Sequence, residues 1–165
     1  MPAGSTYTPI ATTTLGSAQS SVTFNSFSGY TDLIVVFNGG NTASGQSIYL
    51  QFNGDTGTNY STTDLWGNGS SATSGRNTGL GFMRVVGRGI GVDTTLTTNA
   101  LIHIMNYANT NTFKTVINRS NETGGTSAGV GLWRSTSAIT SMVFTAEGTT
   151  ILAGSTFTLY GLAAA

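Results

Sequence analysis

Thr156-Phe157-Thr158-Leu159-Tyr160-Gly161-Leu162 is the stretch from which the fold can be read. Phe157 and Leu159 fall on one side, and Thr156, Thr158 and Tyr160 on the other. This is the two-residue period of a half-buried strand. The same alternation recurs upstream. Val22 and Phe24 alternate with Ser21, Thr23 and Asn25; Ile48, Leu50 and Phe52 alternate with Tyr49 and Gln51, and Asn53-Gly54 follows as a turn signal. Leu33-Ile34-Val35-Val36-Phe37 is apolar without interruption, as a strand buried on both faces would be, and Asn38-Gly39-Gly40 stops it. Further strand signals lie at 80–86, 100–106, 113–118, 130–134 and 139–145. Nowhere does an apolar spacing of three and four persist long enough for a helix.

Short strands separated by turn residues predict an all-β, antiparallel β-sandwich, jelly-roll-like, of about eight to ten strands. Three segments organise the chain. Residues 1–19, with Pro2 and Pro9 among Thr, Ser and Ala, read as an extended N-terminal arm or a first edge strand. Residues 20–162 form the sandwich domain, and 163–165 a short C-terminal tail. Within the domain, 54–79 reads as a long irregular segment. As an arm, the first segment would grip a neighbour through Tyr7, Pro9, Ile10 and Leu15.

Composition agrees with this class. Of 165 residues, 38% are hydrophobic, enough to close a core, but only 7% are charged, against a typical value of about 25%. Ser, Thr, Asn and 23 Gly take the place of the missing charge. These residues disfavour helices, since Ser and Asn compete for the helix backbone's hydrogen bonds and Gly is entropically costly there. With six basic and six acidic side chains the net charge is zero. No electrostatic footprint for nucleic acid or an anionic membrane is expected. A charge-poor surface is also poorly protected against association, which suits a chain that packs against neighbours. There is no cysteine, so disulfides and thiolate metal sites are excluded. Met1-Pro2-Ala3-Gly4-Ser5-Thr6 has neither the basic nor the apolar region of a secretory signal, so synthesis in a cytoplasm is expected.

The residues of catalysis are sparse. The single histidine, His103, sits in the strand-like Leu101-Ile102-His103-Ile104-Met105, with no nucleophile motif beside it. The six acids are scattered, giving no glycosidase pair. Gly87-Arg88-Gly89-Ile90-Gly91 lacks the spacing and the following helix of a phosphate loop. No enzyme and no cofactor are expected. Asn53-Gly54-Asp55-Thr56-Gly57-Thr58-Asn59 has the oxygen-rich alternation of a Ca²⁺ loop, and Asp64 could add a carboxylate. Position six is Thr58 rather than Gly and position twelve is Asp64 rather than Glu, so Asn53, Asp55 and Asp64 make only a weak metal candidate. Trp66, flanked by amides and hydroxyls, could close the end of the sandwich, anchor a protein interface, or with Tyr60 stack on a sugar.

Tyr7-Thr8-Pro9-Ile10-Ala11-Thr12-Thr13-Thr14-Leu15, then Val22-Thr23-Phe24 and Tyr30-Thr31-Asp32-Leu33, resemble a group of small virion proteins of tailed bacteriophages, many of them from aquatic phages including cyanophages. Phe52-Asn53-Gly54-Asp55 through Asn59-Tyr60-Ser61, and the ending Ala153-Gly154-Ser155-Thr156-Phe157-Thr158-Leu159-Tyr160-Gly161, are similar to the same group. The middle, about 86–150, carries no such resemblance. The resemblance implies a jelly-roll-like structural module located in the virion, as capsid cement (decoration), tail or fibre. Cement would work as a homo-oligomer, a trimer, against the major capsid protein or other virion proteins, with no nucleic-acid or membrane partner. A tail or fibre module would bind a host-surface glycan.

Overall fold

In the computed structural model, residues 6–122 and 124–163 are described. They form twelve strands and no helix: β1 (Tyr7–Thr14), β2 (Ser21–Asn25), β3 (Asp32–Gly39), β4 (Ile48–Phe52), β5 (Tyr60–Gly67), β6 (Ala72–Leu80), β7 (Met83–Val86), β8 (Thr98–Ile104), β9 (Lys114–Glu122), β10 (Gly125–Trp133), β11 (Ser141–Ala146) and β12 (Thr156–Leu162). Eight strands make one sheet in the order β1-β12-β3-β8-β9-β10-β5-β6, and four make the other, β2-β11-β4-β7. Every neighbouring pair is antiparallel. The two sheets pack as a sandwich.

The pairing is nested. β1 pairs β12, β2 pairs β11, β4 pairs β7 and β5 pairs β6. The chain is therefore doubled back on itself and wound across two layers. The β8–β9 hairpin sits between β3 and β10 and widens the large sheet.

The core follows from the alternation. Phe37 and Phe157 on the large sheet lie 4.7 Å apart between ring centroids, and Phe157 reaches across to Phe144 of the small sheet at 5.3 Å. Val35, Leu50, Phe52, Ile102 and Leu159 fill the same layer and are fully buried. At the other end Trp133 stands against Phe52 and Tyr60, its indole N–H donating to Asp55 at 2.7 Å.

All nine strand signals in the sequence correspond to strands, and three further strands complete the fold. The segment 54–79, expected to be irregular, contains the β5–β6 hairpin. Its inward residues Thr62 and Asp64 are polar, so the alternation of apolar and polar that marks a strand is missing. The segment 1–19 is, from Tyr7 onward, an edge strand of the domain. Tyr7 pairs Leu162, Thr14 pairs Thr156, and Leu15 enters the core with its N–H on Ser155. Residues 1–5 of the expected arm, and 164–165 of the expected tail, lie outside the described residues.

Candidate interface

Because directly paired residues share a face, the outward side of the large sheet can be followed row by row. One row runs Arg76–Thr63–Val130–Ile117–His103–Ile34–Tyr160 across β6, β5, β10, β9, β8, β3 and β12. The next runs Ser74–Leu65–Ala128–Arg119–Leu101–Val36–Thr158. Among the described residues no second sheet covers this side, although Ile34 in its β3 portion is buried. Leu65 is 56% exposed, Val130 50% and Ile117 49%. These large aliphatic side chains on an exposed sheet face make it the candidate interface.

β9 and β10 explain how this arises. In Lys114–Glu122 the inward positions are Lys114, Val116, Asn118, Ser120 and Glu122, and the outward ones include Ile117 and Arg119. Polar groups thus point in and an aliphatic points out, the reverse of an ordinary half-buried strand. A hollow of about 650 Å³ lies on this part of the sheet, lined by Leu65, Ala72, Asn99, Arg119, Thr126 and Ala128 among others. At the hairpin side, Arg134 donates to Ser61 Oγ at 3.1 Å and reaches Thr78. His103 and Asp32 pair at 2.8 Å farther along the face, and Asp32 also accepts from Asn106 N–H.

The inward side of β5, β9 and β10 is packed by β7 and by the 87–91 turn that follows it. Arg88 Nε donates to Asp64 at 3.1 Å, and Gly87 N–H donates to Glu122 Oε1 at 3.1 Å. Ser120 bonds both Glu122, at 2.6 Å, and Ser127. Asp64 Oδ1 and Glu122 Oε2 are buried with no hydrogen-bond partner among the described residues. Burial raises both carboxyls above their ordinary range, with Arg88 partly offsetting this at Asp64, and Ser120 and Gly87 at Glu122.

Trp66 belongs to this inward layer. It alternates with Asp64 and not with Leu65, and its indole rests on the Cα of Gly89, with the Arg88 guanidinium 5.4 Å from the ring. Tyr60 is fully buried, its hydroxyl accepting from Phe52 N–H, so it is a core residue and offers no surface to a sugar. Of the residues proposed for an arm, Tyr7 and Pro9 are exposed, Ile10 is half-buried at a bulge in β1, and Leu15 is in the core and presents nothing to a neighbour.

The residues proposed for calcium do not converge. Asn53 Oδ1 accepts from Thr140 and Ser141. Asp55 accepts from Trp133, Asn59 and Gly57, bonds that hold its carboxyl below the usual range. Asp64 faces Arg88. Among the described residues no group of three or more His, Cys, Asp or Glu could hold a metal ion.

Ile117, Val130, Leu65 and Arg119 were not singled out by sequence reasoning. The signal was the inverted alternation of β9, which becomes informative only when the opposite side of the strand is known.

No protein-family model matches the chain, and no curated protein matches it. Among solved structures, a chain described as "Catalytic domain of PdAgaC" aligns at 6% identity over 96% of this chain and 76% of that chain, with a TM-score of 0.25. A likeness that weak carries no argument about fold or function.

Proposed function

We propose that the chain is a structural subunit of a phage virion, a capsid cement protein that stabilises the shell through contacts bridging subunits. The observation that carries the assembly part of this reading is the open aliphatic face of the large sheet, with Leu65, Ile117 and Val130 each about half exposed. A free-living domain with so few charges and such a face would tend to associate. The virion itself enters through the resemblance of both ends and much of the first half of the chain to small phage structural proteins. In this role the chain forms a homo-oligomer, a trimer, seated on the major capsid protein.

A tail or fibre module that binds a host glycan is the second reading. It is favoured by the hollow at Arg119, where Asn99, Thr126 and an arginine line a shallow polar and apolar surface. Gradient sedimentation of particles of the phage that encodes the chain separates the two. Quantified against the major capsid protein, cement is present in hundreds of copies per particle and a fibre in tens or fewer. Absence of the chain from purified particles removes both readings.

A further inference from the structure

We propose that the half of the outer face built from β5, β6, β9 and β10 docks onto a protein surface of complementary make-up, with carboxylates set around an apolar centre. The inference rests on the assembly reading and names the chemistry of the partner.

The chain is neutral as a whole, but this half-face carries arginines without acids, while Asp32 lies on the other half of the same face beside His103. Three of its five arginines belong to this half-face. Arg76 lies in the row of Val130, Arg119 in the row of Leu65, and Arg134 reaches Ser61 and Thr78 at the hairpin side. They frame Leu65, Ile117 and Val130. The outward positions of these four strands are otherwise Ser, Thr, Ala, Gly, Asn and Leu, with no Asp or Glu. The acids are spent elsewhere. Asp64 and Glu122 are buried on the inward side, Glu147 pairs with Arg84, Asp55 is bound by Trp133 and Asn59, Asp32 pairs with His103, and Asp93 sits beyond the start of β8. Neither Arg76 nor Arg119 has an ion pair among the described residues.

An aliphatic centre with an arginine rim is the composition of a protein–protein contact, where arginine is enriched and lysine depleted. Two copies of this chain brought together through the same face would oppose arginine to arginine, which argues against self-association here. Nucleic acid is a poorer fit. No outward residue within these four strands is aromatic or lysine, and a single exposed ring, Phe113 one residue before β9, is no row of stacking platforms for bases.

The test uses the full chain, Arg76→Gln/Arg119→Gln, and Ile117→Thr/Val130→Thr, each checked for unchanged thermal unfolding. Arg134 is left in place because it also ties β5 to β6. Binding is measured to a random glutamate–tyrosine copolymer, to poly-L-glutamate and to a single-stranded oligothymidylate, and rebinding is measured to particles stripped of the chain. The wild type is expected to prefer the copolymer over both other polymers. Either double variant should weaken that binding by roughly tenfold. Raising salt from about 50 to about 300 mM should weaken the wild type more than the arginine variant. Equal binding by wild type and arginine variant, or tighter binding to the oligonucleotide, overturns the inference. The particle arm separates the two levels. If the chain is absent from particles but copolymer binding depends on Arg76 and Arg119, the assembly reading in virions falls and the face assignment stands. If both variants rebind like wild type, the reverse holds.

Discussion

Gly89 shows how much a single residue decides at the inward layer. Its φ of +79° is a conformation that side chains of L-residues rarely adopt, and a Cβ there would come within 2.4 Å of the Trp66 ring. Gly89→Ala should therefore destabilise the chain by about 1–3 kcal/mol, read from urea unfolding with an unchanged m-value. Glu122 makes a second prediction, with a sign set by its burial. Its carboxyl is raised in the folded chain, so the stability linked to it is complete below the unfolded value and is lost as pH climbs through the folded one. Glu122→Gln keeps the shape and removes the charge. Its melting temperature should exceed that of the wild type near pH 8 and converge with it near pH 4.5, about the ordinary glutamate range. Asp55 and Glu147 are shifted downward and act in the opposite direction, so the comparison of variant with wild type isolates Glu122. A constant offset between the two melting curves across this range would contradict a buried, ionised Glu122.

At the level of elements, β1 and β6 are the two edges of the large sheet and are protected differently. β1 carries Pro9 and a register shift between Pro9 and Ala11, both of which spoil an edge for further pairing. β6 runs in unbroken register with β5 from Ala72 to Thr78. β1 belongs to the fold through seven register pairs with β12. Truncation after Thr14 should then cost on the order of 3 kcal/mol, measured by denaturant unfolding. Unchanged stability would mean that β1 acts as an arm and not as a strand of the domain. The elements were legible in the sequence wherever one side of a strand met the apolar core, as with β2, β4 and β12. They were not legible where both sides met polar surroundings. β5 and β6 have Thr62, Asp64 and Asn77 inward and mostly hydroxyls outward, so they read as loop. Trp66 stood out in the sequence, but its side could not be assigned before β5 was known to be a strand; a register one residue away would have turned the indole outward.

For the whole molecule, the asymmetry of the sandwich is the main fact. An eight-stranded sheet faces a four-stranded one, and the excess width leaves a broad outer face with aliphatic groups exposed. These groups contribute little to the fold of the isolated chain. Ile117→Thr/Val130→Thr should change stability by less than about 1 kcal/mol, while Phe157→Ala, which opens the inter-sheet ring cluster, should cost about 3–5 kcal/mol. Equal losses by calorimetry would mean that the outer face is part of the core. The fold class was read correctly from alternation because burial alone dictates it. The face proposed for assembly was not, because its residues are visible only once eight strands are placed side by side. We propose that this chain works as a shell subunit through the outer face of its large sheet. Cryo-electron microscopy of virions that contain the chain tests this. The expected result is the chain repeated over the capsid with β5, β6, β9 and β10 turned toward the shell; a chain found only on the tail, or one whose large sheet faces solvent, overturns the proposal.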